Sequence, residues 1–130
     1  VRRAAGIAAA AFGAAAVALG AFGAHALRGR LDESALALWR SAVEYQFWHA
    51  LALLAVGGAD ARQVRLRAGA VVAFVCGIVL FCGSLYLLAL GAPRWLGAAT
   101  PLGGLALMAG WLLTGLAFWR DAAKRHGISE

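Results

Sequence analysis

Charged side chains are scarce in this chain: Asp, Glu, Lys and Arg together make up 14% of its residues, while hydrophobic residues make up 63%. A soluble domain covers its surface with about a quarter of its residues from that charged set, so a water-exposed globule of this composition is not expected. Proline occurs only twice, which excludes collagen-like and proline-rich disordered chains. Cysteine also occurs only twice, at Cys76 and Cys82. Six residues apart on a helix, they point about 120° from each other, so no disulfide is expected between them. No Cys/His spacing suits zinc. Acidic groups number 6 against 12 basic ones, for a formal charge of +6. Such a balance can mark a nucleic-acid binder. Here, however, the basic groups flank long apolar runs, so the partner they fit is membrane lipid and not nucleic acid. There is no GxSxG, no Walker lysine, no HExxH and no paired carboxylate at catalytic spacing. No ion-selectivity sequence is present either. These absences argue against an enzyme and give no cofactor or metal.

What the chain does have is four apolar blocks in one transmembrane domain. They predict spans over residues 4–24, 42–59, 68–91 and 100–119. The first follows Arg2 and Arg3 and ends in a small-x-small triplet, Ala24-His25-Ala26, that could be read as a signal-peptide site. The block is too long for a signal core and three more follow it, so it is read as a span. The second is preceded by Asp32, a plausible N-cap, and by apolar residues at helical spacing over 32–41. That predicts an amphipathic interfacial helix, or an extension of the second span, which would tilt, bend near Ser41 or project into the headgroups. The fourth begins Thr100-Pro101, an expected N-cap with proline at the first helical position. Trp95 and Trp119 suit the bilayer interfaces. The fold class predicted is all-α: an integral membrane four-helix bundle with antiparallel neighbours.

Orientation follows from the arginines. Arg2, Arg3, Arg62, Arg65, Arg67, Arg120, Lys124 and Arg125 would lie on one side, against Arg28, Arg30, Arg40 and Arg94 on the other. The positive-inside rule then puts both termini in the cytoplasm. Small residues recur every seven positions, at Gly6, Gly13 and Gly20, at Gly69, Cys76 and Gly83, at Gly77 and Ser84, and at Gly103, Gly110 and Ala117. Such stripes allow close helix packing, within one copy, between copies or with a larger membrane complex.

Polar residues at membrane depth are the candidate site, because they are costly there. Tyr45 and Gln46 share a helix face with His49. Glu44 lies about 140° away from His49 and suits Arg40 instead. His25 ends the first span and Ser84 and Tyr86 lie in the third. The expected cluster is therefore His25, Tyr45, Gln46, His49, Ser84 and Tyr86. Hydrogen bonding that sets helix register is the plainer use of such a cluster. A ligand or proton site is the alternative, and two histidines near each other would also be the minimum for a haem.

Several of these stretches resemble one family. They are Gly20-Ala-Phe-Gly-Ala-His25, the segment around Trp39, Tyr45-Gln46 with His49-Ala50-Leu51, Phe81-Cys82-Gly83-Ser84-Leu85-Tyr86-Leu87, and Thr100-Pro101-Leu102-Gly103-Gly104 followed by Gly110-Trp111. Together they resemble the small bacterial membrane proteins called domain of unknown function 423, or uncharacterised protein family 0382. Eukaryotic transmembrane protein 256 is similar to these. Cys82 stands where the family pattern has serine. The resemblance implies a four-span protein of the bacterial inner membrane and supplies no activity. The expectation is a small accessory or structural subunit, self-associating or attached to a larger complex. The alternative is a transport-related or small-ligand protein that uses His25, Tyr45 and His49.

Overall fold

The computed structural model describes residues 1–59, 61–125 and 127. Asp60, at the head of the expected 60–67 link, lies outside the described residues, as do the side chains of Ala61 and Arg125. Four long helices follow one another. They are α1, Arg2–His25; α2, Glu33–Gly58; α3, Val64–Ala89; and α4, Ala99–Arg125. A 3₁₀ turn, Ala61–Gln63, leads into α3, and a second, Arg94–Ala98, leads into α4. Helices are the natural outcome for apolar segments in lipid, because each satisfies its own backbone polar groups.

Asp32 caps α2: its carboxylate accepts from Ala35 N at 2.7 Å and from the Ser34 hydroxyl at 2.8 Å. Those donors, the backbone N–H first, hold its carboxyl below the ordinary range. A lowered folded value means that the cap stabilises above the unfolded pKa and is lost as pH falls through the folded one. The helix then runs to Gly58 without interruption. Residues 33–41 are thus an extension of one long helix, with no separate element ending at Ser41. The opposite outcome holds at Thr100, which is not an N-cap. The preceding 3₁₀ turn already occupies the Ala99 N–H through Leu96 O, and the Thr100 hydroxyl turns sideways to Ser84. At the end of α3, Ala92 N bonds Leu87 O at 2.9 Å and Gly91 N bonds Leu88 O at 3.1 Å. Gly91 has a φ of 90°, the left-handed conformation this helix stop requires and glycine tolerates.

Two antiparallel pairs build the molecule. Along α1 and α2, Gly57 lies on Ala5, Gly13 faces Ala50, Gly20 faces Val43 and Gly23 lies on Trp39. Along α3 and α4, Gly110 lies on Phe74, Gly77 on Leu107 and Gly103 on Phe81. The α3 positions 74, 77, 81 and 84 oppose the α4 positions 110, 107, 103 and 100, a three–four alternation typical of left-handed packing. The pairs meet where Ala42, Ala52, Leu53 and Val56 of α2 pack on Ala70, Phe74, Ile78 and Cys82 of α3. A Cβ at Gly6 or Gly83 would meet nothing within 4 Å, so the stripes are open at these two points within one copy. Cys76 is exposed while Cys82 is buried, and both are free thiols.

By length and composition, three helices qualify as membrane spans: α1, α3 and the 31-residue stretch Arg94–Lys124. The second expected span falls short of that measure, since Glu44, Gln46 and His49 dilute its hydropathy. Even so, α2 lies beside α1 from Trp39 to Gly57, about 27 Å of helix. Inside α3, residues Ile78–Cys82 form a π turn.

A Cβ at Gly103 would collide with the backbone of Phe81, whereas one at Gly115 meets nothing within 4 Å. Gly103→Ala should therefore cost about 1–3 kcal/mol and Gly115→Ala at most about 0.5 kcal/mol. Unfolding of the two variants in mixed detergent micelles, followed by circular dichroism, checks this.

Candidate functional site

The polar residues of α2 divide into separate small networks. Gln46 is buried and reaches across to α1, with Nε2 donating to Phe12 O at 2.9 Å. Its Oε1 accepts from the Tyr86 hydroxyl of α3 at 2.9 Å. Trp39, one heptad earlier, does the same on the same helix: Nε1 donates to Leu19 O at 2.9 Å. The two α2 donors are seven apart, and so are the two α1 carbonyls that receive them. This pairing locks the register of α1 against α2. Trp39 fits there because Gly23 leaves room for its indole, and Tyr86 packs edge-on at 4.7 Å between centroids.

His49 is buried with both ring nitrogens engaged. Nδ1 lies 2.6 Å from Tyr45 O, and Trp111 Nε1 donates to Nε2 at 3.1 Å. A carbonyl can only accept and an indole N–H can only donate. The arrangement therefore selects one neutral tautomer, with the proton on Nδ1 and the lone pair on Nε2. Tyr45 stacks on the imidazole, with centroids 5.9 Å apart and planes 21° apart, and Phe81 lies 4.6 Å from Tyr45. Phe74 closes the cage, 5.5 Å from Trp111.

Ser84 belongs to neither network. Its hydroxyl donates to Phe81 O at 2.9 Å and lies 2.6 Å from the Thr100 hydroxyl, so Thr100 is the donor in that pair. The carbonyl Ser84 serves belongs to the π turn, where the helical bonding pattern is altered.

His25 stands apart from all of these. It is the exposed last residue of α1. Phe12, the Gln46 partner, is thirteen residues earlier, about 20 Å along the axis. The expected six-residue cluster is thus divided: Gln46 bonds Tyr86, His49 bonds Trp111 from outside the expected set with Tyr45 stacked on it, Ser84 lies on the α3–α4 seam, and His25 is exposed at the end of α1. Ala50, next to His49, faces Gly13 of α1, about 18 Å along the axis from His25, so the two histidines do not approach as a pair of haem ligands must. Among the described residues no group of three His, Cys, Asp or Glu could hold a metal. The expected Arg40–Glu44 ion pair does not form, although both side chains border one groove between α1 and α2.

The strongest polar contact is one that sequence reasoning missed. Arg67 Nη2 lies 2.7 Å from Asp121 Oδ2, and both side chains are buried, at 4% and 2% exposure. Arg67 Nη1 also reaches Val56 O at 3.4 Å, and its guanidinium sits 5.3 Å from the Phe118 ring centroid. The charge pattern places Arg67 among the arginines facing the headgroups. It instead ties α3 to α4, because α3 begins at Val64 and carries residue 67 onto the α4 face. Asp121, set between Arg120 and Lys124, was the available signal.

The model of the family described as protein of unknown function (DUF423) matches residues 19–104. A UPF0382 membrane protein of Staphylococcus haemolyticus is 44% identical over 75% of this chain and 80% of its own length. The UPF0382 membrane protein YwdK of Bacillus subtilis is 40% identical over 75% of this chain and 81% of its own. The UPF0382 inner membrane protein YgdD of Escherichia coli is 40% identical over 88% of this chain and 86% of its own. No solved structure matches the chain.

Two measurements probe these struts. Gln46→Leu leaves the Tyr86 hydroxyl without an acceptor and should lower stability by about 1–2 kcal/mol. A double-mutant cycle with Tyr86→Phe should return a coupling of about 0.6–1.7 kcal/mol. Asp121→Ala strands a buried guanidinium and should cost about 3–5 kcal/mol, whereas Arg67→Met with Asp121→Leu should recover most of that. Melting temperatures in detergent give both comparisons.

Proposed function

The chain belongs to the DUF423 family, and we propose that it is a small structural or accessory subunit of the bacterial inner membrane, self-associating or bound to a larger membrane complex. The observation that carries this reading is that Gln46, His49, Ser84 and Thr100 all have hydrogen-bond partners within the bundle. Gln46 uses both ends of its amide, His49 both ring nitrogens, and Ser84 and Thr100 each other. A transport or proton-relay site needs groups free to exchange partners. Here the same residue types act as cross-braces, whose effect is a stiff bundle with fixed register.

The outer surface supports the second half of the proposal. Val17, Val72, Leu102, Leu105, Met108 and Leu112 are all more than half exposed, as lipid-facing or partner-facing residues must be. Gly6 and Gly83 add two smooth points to that surface. For orientation we adopt both termini and the α2–α3 turn in the cytoplasm. Exposed Arg2, Arg3, Arg62, Arg65, Arg120 and Lys124 gather at that end, and the excess over the opposite end is in the sense of the positive-inside rule.

Extraction in a mild detergent followed by native mass analysis should yield a defined homo-oligomer or a stoichiometric complex with another membrane protein. A lone monomer, together with a solute flux abolished by His49→Ala, would overturn the reading in favour of transport. A fluorescent protein fused to the C-terminus should stay bright, as it does only on the cytoplasmic side.

A further inference from the structure

One groove on the bundle surface has a polarity gradient along its length. It runs between α1 and α2 at the end that carries the α1–α2 connection. At its mouth Arg28, Glu33 and Arg40 line a space of about 480 Å³. The same Arg28 and Arg40 border the next section, of about 350 Å³, whose floor is Gly20 and whose wall is Trp39. Gly20, Val43 and Glu44 then continue into a third section, of about 380 Å³, bounded by Val17, Phe47 and Trp48. The three sections share residues and so form one channel. From Arg40 to Trp48 it descends eight residues of helix, about 12 Å. It is charged at the top and apolar at the bottom.

We propose that this groove binds a single phospholipid with a zwitterionic, amine-bearing headgroup of the phosphatidylethanolamine type. The phosphate lies between Arg28 and Arg40, since guanidinium forks suit phosphate oxygens. The headgroup ammonium lies outward of the phosphate, towards Glu33 in the first turn of α2. One acyl chain lies inward over Gly20 and Val43 against Phe47 and Trp48. The charge balance favours this headgroup. Arg28 and Arg40 are offset by Glu33 and Glu44, so the groove is formally neutral and complements a zwitterion better than a net anion. Glu44, one turn below Arg40 and not paired with it, repels a second phosphate and weighs against a doubly charged lipid. The site is independent of the His49 and Gln46 networks and does not rest on the accessory-subunit reading.

The test is native mass spectrometry of the whole protein in mild detergent, titrated separately with phosphatidylethanolamine, phosphatidylglycerol and phosphatidylcholine carrying the same acyl chains. One phosphatidylethanolamine adduct should persist at lower lipid concentration than an adduct of either other lipid. Arg40→Gln, and Arg28→Gln with it, should weaken that adduct about tenfold. Glu33→Gln should remove the preference for the amine headgroup while leaving binding itself in place. Ala24→Trp, at an exposed position on the groove wall, should block every lipid. Arg62→Gln, at the opposite end, should change nothing. Helical circular dichroism and a single gel-filtration peak qualify each variant, and the single-site Glu33→Gln and Ala24→Trp changes stand if the arginine variants fail to fold. Equal binding of the three lipids, a preference for phosphatidylglycerol, or adducts untouched by Ala24→Trp would overturn the proposal. So would cysteine crosslinking between copies at Val17 and Phe47 in liposomes, which would assign the groove to a second copy of the chain.

Discussion

A polar group inside a bilayer has no water to fall back on, and α2 carries more such groups than a single helix can satisfy for itself. Its solution is to direct them at its neighbours. Trp39 and Gln46 donate to Leu19 O and Phe12 O of α1, and the Tyr86 hydroxyl of α3 completes the Gln46 amide. His49 takes its partners from its own helix and from Trp111 of α4. Each of the other three helices is thereby tied to α2 or to something bonded to it. The helix least suited to lipid by composition is consequently the one that organises the rest.

Close approach is what allows these bonds to form. Hydrogen bonds of about 2.9 Å between a side chain on one helix and a carbonyl on the next require little bulk between the backbones. Gly13, Gly20 and Gly23 provide that between α1 and α2, and Gly77, Gly103 and Gly110 provide it between α3 and α4. At the end of the bundle where the termini lie, the buried Arg67–Asp121 pair takes over from the glycines. Its net contribution to stability is small by comparison with the damage of breaking it, because desolvating two charges offsets much of their attraction. Its clearer effect is on alignment: it joins Arg67 near the start of α3 to Asp121 near the end of α4.

These features describe a braced, compact bundle; among the described residues the buried side-chain atoms left without a hydrogen-bond partner are Arg67 Nε and Asp121 Oδ1. His49 is held as a neutral imidazole by a donor requirement on one side and an acceptor requirement on the other, which leaves it no free lone pair for a metal. The open chemistry lies on the outside, in the lipid-facing apolar surface and in the charged mouth of the α1–α2 groove. The proposed accessory role is in keeping with that distribution.

Much was legible in the sequence, and the physical reason is that burial in lipid acts on whole segments. Hydropathy, the Asp32 cap and the seven-residue glycine intervals are local or periodic properties, so the helices, their antiparallel order and the family likeness could be read without coordinates. Pairings across helices could not. Whether Arg67 faced headgroups or Asp121, whether Thr100 capped a helix or bonded Ser84, and whether His25 joined His49 all depended on the rotations and axial offsets of separate helices. The sequence by itself determined that this polypeptide is an apolar bundle with a polar second helix. Tertiary structure alone decided which partner each polar group found, because a hydrogen bond is settled within tenths of an ångström and helix periodicity resolves no finer than a face.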